Sequence, residues 1–247
     1  MPAHISYDAD APASAIAAHK AAYGVSWPTY DFDAASLIVS FGADFLDGWG
    51  PSVPLQLAWA DARAKVEGAP RAVYVGARRS LTGLNADSWI ACKPGSELAI
   101  VQFLRGSKSA ADAAAASDVT VATLEGLKKE IAGAKRSLLI AGGNAADSAQ
   151  VATEVAEFNK TLGNVGITVK PASPLGIYQR LDVTAAVQNV ADRMNLGTVP
   201  LLFVRGANPA HTLPAKVNFA AGLAKVGFKV SFTNVPDATT ELADLIL

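Results

Sequence analysis

One order of signals occurs twice in this chain. Near its start, Leu37-Ile38-Val39-Ser40-Phe41 runs into Gly42-Ala43-Asp44, then into a helical pattern that begins at Pro51, a second apolar run, and Asn85-Ala86-Asp87-Ser88-Trp89-Ile90. Near its end, Leu201-Leu202-Phe203-Val204-Arg205 runs into Gly206-Ala207-Asn208, then into Pro209, a helical pattern from Leu213, another apolar run, and Leu242-Ala243-Asp244-Leu245-Ile246. Both copies read strand, Gly-Ala-Asp/Asn turn, helix, strand, loop, Ala-Asp, strand. Short apolar runs bounded by glycine turns suit buried parallel strands, and strand–helix–strand order joins such strands through crossovers on the sheet faces. A supersecondary pattern met twice implies two related units.

The predicted fold class is therefore α/β, with two related Rossmann-like units, each a parallel sheet with helices on both faces. The first 30 residues read as an irregular lead-in. Strands are expected at 36–41, 72–75 and 89–91, with helices over 51–66 and from Glu97 to about Arg105, where Ser96 suits an N-cap. The Ser- and Ala-rich stretch 107–117 reads as a linker. It divides a first unit, residues 1–106, from a second, residues 118–247. Beyond it the pattern predicts a helix over 123–134, a strand over 137–141 and a helix over 145–162 that ends on Gly163. An irregular stretch over 170–182 and a helix over 183–194 follow. The closing βαβ has strands at 200–204 and 228–232 around a helix over 213–226, and the chain stops on what reads as the start of a further strand.

Composition narrows the function. Of 247 residues, 51% are hydrophobic and only 17% charged, enough to bury a sizeable core. The net charge of −1, with no basic block, argues against a nucleic-acid partner, which needs clustered Lys and Arg. A single cysteine, Cys92, forms no disulfide or four-cysteine cluster within the chain and is expected to be an inert, partly buried thiol. His4, His19 and His211 show no ligand spacing, so no metal site and no catalytic residues are predicted. No apolar run reaches the length of a membrane span, and Met1-Pro2-Ala3 does not open a signal-peptide pattern. The chain is expected to be soluble as it stands. Trp27, Trp49, Trp59 and Trp89 are expected in the core or at subunit contacts.

In a parallel sheet the loop after the first strand lies at the carboxyl end, where free backbone N–H groups meet an anionic ligand. This puts Gly42 and Gly206 at candidate sites, although Gly-Ala-Asp read alone serves equally as a tight turn. No G-x-G-x-x-G follows either strand, so an ordinary NAD site is not indicated. Arg78-Arg79 offers charge for a phosphate or for a surface ion pair.

The combined spacing resembles the molybdopterin oxidoreductase superfamily. The segments that carry the resemblance are Val39-Ser40-Phe41-Gly42-Ala43-Asp44, Arg78-Arg79-Ser80-Leu81-Thr82, Asn85-Ala86-Asp87-Ser88-Trp89-Ile90, Lys93-Pro94-Gly95-Ser96-Glu97, Leu162-Gly163-Asn164-Val165-Gly166 and Gly206-Ala207-Asn208-Pro209. Within that superfamily the chain looks most like the molybdopterin-enzyme-like half of the large iron–sulfur subunit of alternative complex III. The resemblance implies that Gly42, Ala43, Asp44, Arg78, Ser80, Pro94, Gly95, Ser96, Glu97, Gly206, Ala207, Asn208 and Pro209 match positions that hold the guanosine ends of a bis-molybdopterin guanine dinucleotide. It also implies a periplasmic-facing, membrane-associated parent complex whose other domains or subunits are the partners.

The departures bear on function. Where the family carries an acidic residue and a proline after the second strand, this chain has Gly76 and Ala77, and Asp237-Ala238-Thr239 stands where Thr-Glu-Thr is frequent. A glycine accepts no side-chain hydrogen bond from a ribose or a base. Three readings stay open: a cofactor-less scaffold domain of a quinol-oxidising respiratory complex, a piece of a working molybdenum enzyme that binds the dinucleotide, and a stand-alone nucleotide-binding protein.

Overall fold

A computed structural model describes residues 4–6, 12–142, 147–174 and 185–247. The chain divides into two compact units, Pro12–Gln179 and Arg180–Leu247 with Met1–Ala11.

The larger unit opens with α1 (Ala13–Tyr23) and a two-residue strand, β1 (Thr29–Tyr30). It continues through β2 (Leu37–Phe41), α2 (Ser52–Arg63), β3 (Arg71–Val75), α3 (Leu81–Asn85) and β4 (Ser88–Ile90). Then come α4 (Glu97–Arg105), α5 (Ala110–Ser117), α6 (Val121–Gly133), β5 (Ser137–Ala141), α7 (Ser148–Thr161) and β6 (Val169–Lys170). Four strands form a parallel sheet in the order β4-β3-β2-β5, with Leu37 opposite both Arg71 and Ser137. The chain steps outward from β2 to β4 and then returns to lay β5 on the other side of β2. The strand order therefore reverses between β2 and β5, and a crevice at their carboxyl ends is where such sheets take ligands.

Both faces of β2 are buried, as its unbroken apolar run requires. On one face Val39, Phe41, Val73, Val75 and Leu139 pack with Ile100, Leu124, Leu127 and Val155 from the helices. The other side holds an aromatic cluster: Trp27 lies 4.7 Å from Trp49, and Phe45 lies 5.2 Å from Phe32 and 5.4 Å from Trp59. Trp89 is the exception among the tryptophans at 38% exposure. The outer edge of β5 is closed by Asn159, which donates to the Leu139 carbonyl at 2.8 Å and accepts the Leu139 N–H at 3.2 Å. Asn164, in the segment that follows α7, is buried and donates to Asn159.

The smaller unit contains α8 (Ala185–Asn195), β7 (Leu201–Arg205), α9 (Pro209–Thr212), α10 (Phe219–Leu223), β8 (Phe228–Phe232) and β9 (Leu245–Ile246). Its strands are parallel, in the order β7-β8-β9. Ala191, Met194, Val217, Phe219 and Leu223 form its core, with Leu202 packed against them. The alternate residues Leu201 and Phe203 are 47% and 57% exposed, so this strand, unlike β2, is covered on one face only.

The structure corrects four expectations. The lead-in contains α1, in which Ala15, Ile16, Ala18 and His19 are buried. The 107–117 linker is helix α5, capped by Ser109 and seated through buried Ala113 and Ser117; alanine is the best helix former, and the small side chains let α5 lie close to the core. The division between units accordingly falls near Gln179. The helix expected over 213–226 is broken: Pro214 leads into a 3₁₀ turn, Ala215–Val217, and Asn218 at φ 55° separates it from α10. The starts of the helices expected from 145 and 183, and the irregular stretch beyond 174, lie outside the described residues.

Candidate functional site

The two Gly-Ala-Asp/Asn turns are built alike. Gly42 follows β2 at φ +68° and Gly206 follows β7 at φ +61°, a backbone region that favours glycine. Two residues on, Asp44 Oδ1 accepts the Thr82 N–H at 2.9 Å, and Asn208 Oδ1 accepts the Thr239 N–H at 3.1 Å. Ser80 Oγ accepts from Gly83 N–H at 3.3 Å, and Asp237 Oδ1 accepts from Thr240 N–H at 2.8 Å. Each pair stands at the same relative place in its unit, so the sequence repeat is a repeat of hydrogen bonds.

These bonds show what the expected site residues do. Asp44 and Ser80 both serve the first turn of α3, and Asp44 also stands 4.0 Å from Arg78, whose side chain is 83% exposed. Ala43 is fully buried, and its carbonyl accepts from Ser40 Oγ at 2.7 Å. Ser96 occupies the N-cap position of α4 without capping it: its hydroxyl donates back to the Lys93 carbonyl. Pro94 and Gly95 are exposed. In the smaller unit Asn208 is held by Thr239, Gly206 is exposed, Ala207 is half-buried and Pro209 is buried at the start of α9.

At the reversal between β2 and β5 the backbones approach closely. A Cβ on Gly42 would stand 2.8 Å from the Gly142 carbonyl oxygen and 3.9 Å from Glu97 Oε1. A Cβ on Gly95 would stand 3.9 Å from Asp147 Oδ1. Glu97 begins α4 and Asp147 precedes α7, and Glu97 Oε2 and both Asp147 oxygens are buried without a hydrogen-bond partner among the described residues. Burial pushes the Glu97 carboxyl above its ordinary value, and the Asp147 charge adds to the effect. The Trp49 indole N–H, also buried and without a hydrogen-bond partner among the described residues, lies against Gly142. The N-terminus of α4 thus meets the crevice through a carboxylate.

Sequence reasoning missed Tyr74. This side chain on β3 is 4% exposed, and its ring lies beside both Gly76 and Gly83. Ser80 neighbours its hydroxyl, with Asp44, Arg78 and Glu97 in electrostatic range, so the phenol sits among the expected site residues. The signal available was a tyrosine two positions before a glycine at a strand end. Asp147 and Trp49 carried no comparable signal. Among the described residues no three His, Cys, Asp or Glu side chains gather as metal ligands, and no helix is long and apolar enough to cross a membrane. Cys92 is buried, and burial pushes its thiol up to about 11.

Two parallel-sheet units braced by the same hydrogen bonds define an α/β protein with a doubled nucleotide-type fold. The chain belongs to the molybdopterin oxidoreductase family, whose family model matches residues 4–247. It is 28% identical to the menaquinone reductase molybdopterin-binding-like subunit of Nitratidesulfovibrio vulgaris (strain Hildenborough), an alignment that takes in 88% of this chain and 37% of that protein. Among solved structures, acetylene hydratase from Pelobacter acetylenicus superposes with a TM-score of 0.70 at 12% identity, over 97% of this chain and 44% of that one, a likeness of fold. The chain thus spans less than half the length of either relative.

Proposed function

We propose that this chain is a scaffold portion of a molybdopterin-oxidoreductase-like subunit in a quinone-linked respiratory electron-transfer complex of the alternative complex III kind, and that it holds no guanine dinucleotide in its larger unit. The observation that carries the reading is at Gly76. No carboxylate stands at the end of β3 to receive a ribose or a base, and the Tyr74 ring lies within 2.9 Å of where its Cβ would be. The neighbouring groups point the same way. Asp44 is committed to α3, and the Glu97 carboxylate, which takes backbone N–H groups at the start of α4 and leaves Oε2 over, faces with Asp147 a crevice where a diphosphate would need those donors. These residues do not fit a molybdopterin guanine dinucleotide, so no redox step is assigned to them.

The partners of such a chain are the other domains or subunits of its complex, through which electrons would pass. The name of the Nitratidesulfovibrio relative, a molybdopterin-binding-like subunit of a menaquinone reductase, supports the setting. The test is a calorimetric titration of the purified chain with GDP and GMP, with molybdenum assayed on the same sample. No heat of binding and no molybdenum is the expected result. Micromolar binding that a bulky residue at Gly42 or Gly206 abolishes would overturn the scaffold reading in favour of a piece of a working molybdenum enzyme.

A further inference from the structure

We propose that Tyr74 is a built-in occupant of the nucleoside position in the larger unit, the residue that sets this crevice against nucleosides. The inference rests on the scaffold reading above and adds the group responsible for it. The end of the second strand is where a nucleotide-type fold places the carboxylate that receives ribose hydroxyls. Here a Cβ at Gly76 would meet Tyr74 Cε1 at 2.9 Å and its Cζ and hydroxyl oxygen at 3.3 Å, and a Cβ at Gly83 would meet Tyr74 Cδ1 at 2.9 Å. Any side chain at 76 or 83 therefore competes with the ring for one volume.

The smaller unit supplies the comparison. Its residues matching Tyr74, Gly76 and Gly83 are Ser231, Thr233 and Thr240, a match set by the paired bonds of Ser80 with Asp237, Thr82 with Thr239 and Asp87 with Asp244. Where the strand residue is small, both partner positions carry side chains, and the Ser231 hydroxyl meets Thr240 Oγ1 at 3.3 Å. Where the strand residue is tyrosine, both are glycine. The same framework is thus filled in two ways within one chain, by a ring from the strand in the larger unit and by side chains at the partner positions in the smaller. The fill is a side chain on a buried strand, so it does not leave with a change of ligand.

The test compares the whole chain as wild type, Tyr74→Phe, Tyr74→Ser and Tyr74→Ser/Gly76→Asp, titrated with p-cresol and with GMP. Wild type and Tyr74→Phe are expected to bind neither. Tyr74→Ser is expected to take up p-cresol in the vacated volume, and the double variant to bind GMP at least about tenfold more tightly than wild type, a difference well within calorimetric reach. A folded double variant with no gain for GMP over wild type overturns the assignment of Tyr74, while micromolar GMP binding by wild type overturns the scaffold reading instead. A stability readout needs no ligand: Gly76→Ala should lower the urea midpoint when Tyr74 is present and leave it unchanged beside Tyr74→Val, and equal effects in the two backgrounds would also sink the assignment.

Discussion

Asp87 and Ala72 exchange two hydrogen bonds: the Asp87 N–H donates to the Ala72 carbonyl oxygen at 2.9 Å, and Asp87 Oδ2 accepts the Ala72 N–H at 2.8 Å. Asp244 does the same to Lys229 in the smaller unit, at 2.9 and 2.7 Å. In both places an aspartate just before the edge strand locks that strand's register against the next. Asp87 carries more, since Arg63 pairs with both its oxygens at 2.8 Å. Asp87→Ala should cost about 2 kcal/mol, because it loses a two-pronged Arg63 pair together with the acceptor of the part-buried Ala72 N–H; Asp244→Ala, which loses the acceptor of an exposed N–H and a single contact with Lys229 Nζ at 2.8 Å, should lower the urea midpoint less. Urea unfolding of the two variants checks the order.

The glycines of the two turns should respond unequally to alanine. Both have positive φ, but only at Gly42 does a Cβ meet backbone, the Gly142 carbonyl oxygen at 2.8 Å; at Gly206 nothing lies within 4 Å. Gly206→Ala is expected to cost about 1 kcal/mol, the left-handed penalty alone. Gly42→Ala should cost about 2–4 kcal/mol, because carbonyl and Cβ cannot share the space without a backbone shift. Equal thermal shifts for the two variants would contradict this geometry.

Stability should fall on mild acidification through His19. This buried ring has Nε2 2.7 Å from the Tyr30 hydroxyl, and burial lowers it from 6.5 to about 4. The fold therefore favours neutral imidazole, while the unfolded chain takes up a proton near 6.5. The contribution is complete above that pH and is lost as pH falls from 6.5 towards 4, about 2 kcal/mol by pH 5. The urea midpoint measured from pH 7 to 5 should drop in wild type and drop less in His19→Gln.

Glu97 should behave in the opposite sense. Its carboxyl is raised in the fold, so the protonated form is favoured there and the charged form disfavours folding once the pH exceeds the raised value. Glu97→Gln is expected to raise the urea midpoint at pH 8, where the variant no longer confines a half-buried charge beside Asp147, and to gain less at pH 5. A variant that is less stable than wild type at pH 8 would show that Oε2 has a partner essential to the fold.

Cys92 should be inert in the folded chain. With burial pushing its thiol up to about 11, little thiolate exists at pH 8, and access is closed. Ellman's reagent should react with it at the rate of unfolding, so reaction speeds up with urea rather than with pH.

How far the sequence can be read depends on the range of the interaction. Leu37–Phe41, the helix from Glu97 to Arg105, the strand Ser137–Ala141 and the paired turns at Gly42 and Gly206 were legible because each rests on a run, a period or a glycine that acts within a few residues. The stretch 107–117 was not. Its alanines favour a helix, but whether a small-residue stretch spans open space or packs down depends on whether α4 and α6, on either side of it, fold back against it into one core.

By itself the sequence determined that this protein is a doubled parallel α/β chain, since apolar runs, Gly-Ala-Asp/Asn turns and the Ala-Asp repeat are local signals that dictate strand, turn and register. Only the tertiary structure decided what the crevices contain. Tyr74 reads as one more strand residue until β3 and α3 bring the backbones of Gly76 and Gly83 against its ring. Glu97 and Asp147, fifty residues apart in the chain, become a pair only when α4 and α7 start at the same end of the sheet. Occupied volume and unshared charge are properties of atoms brought together by packing, and no local pattern records them.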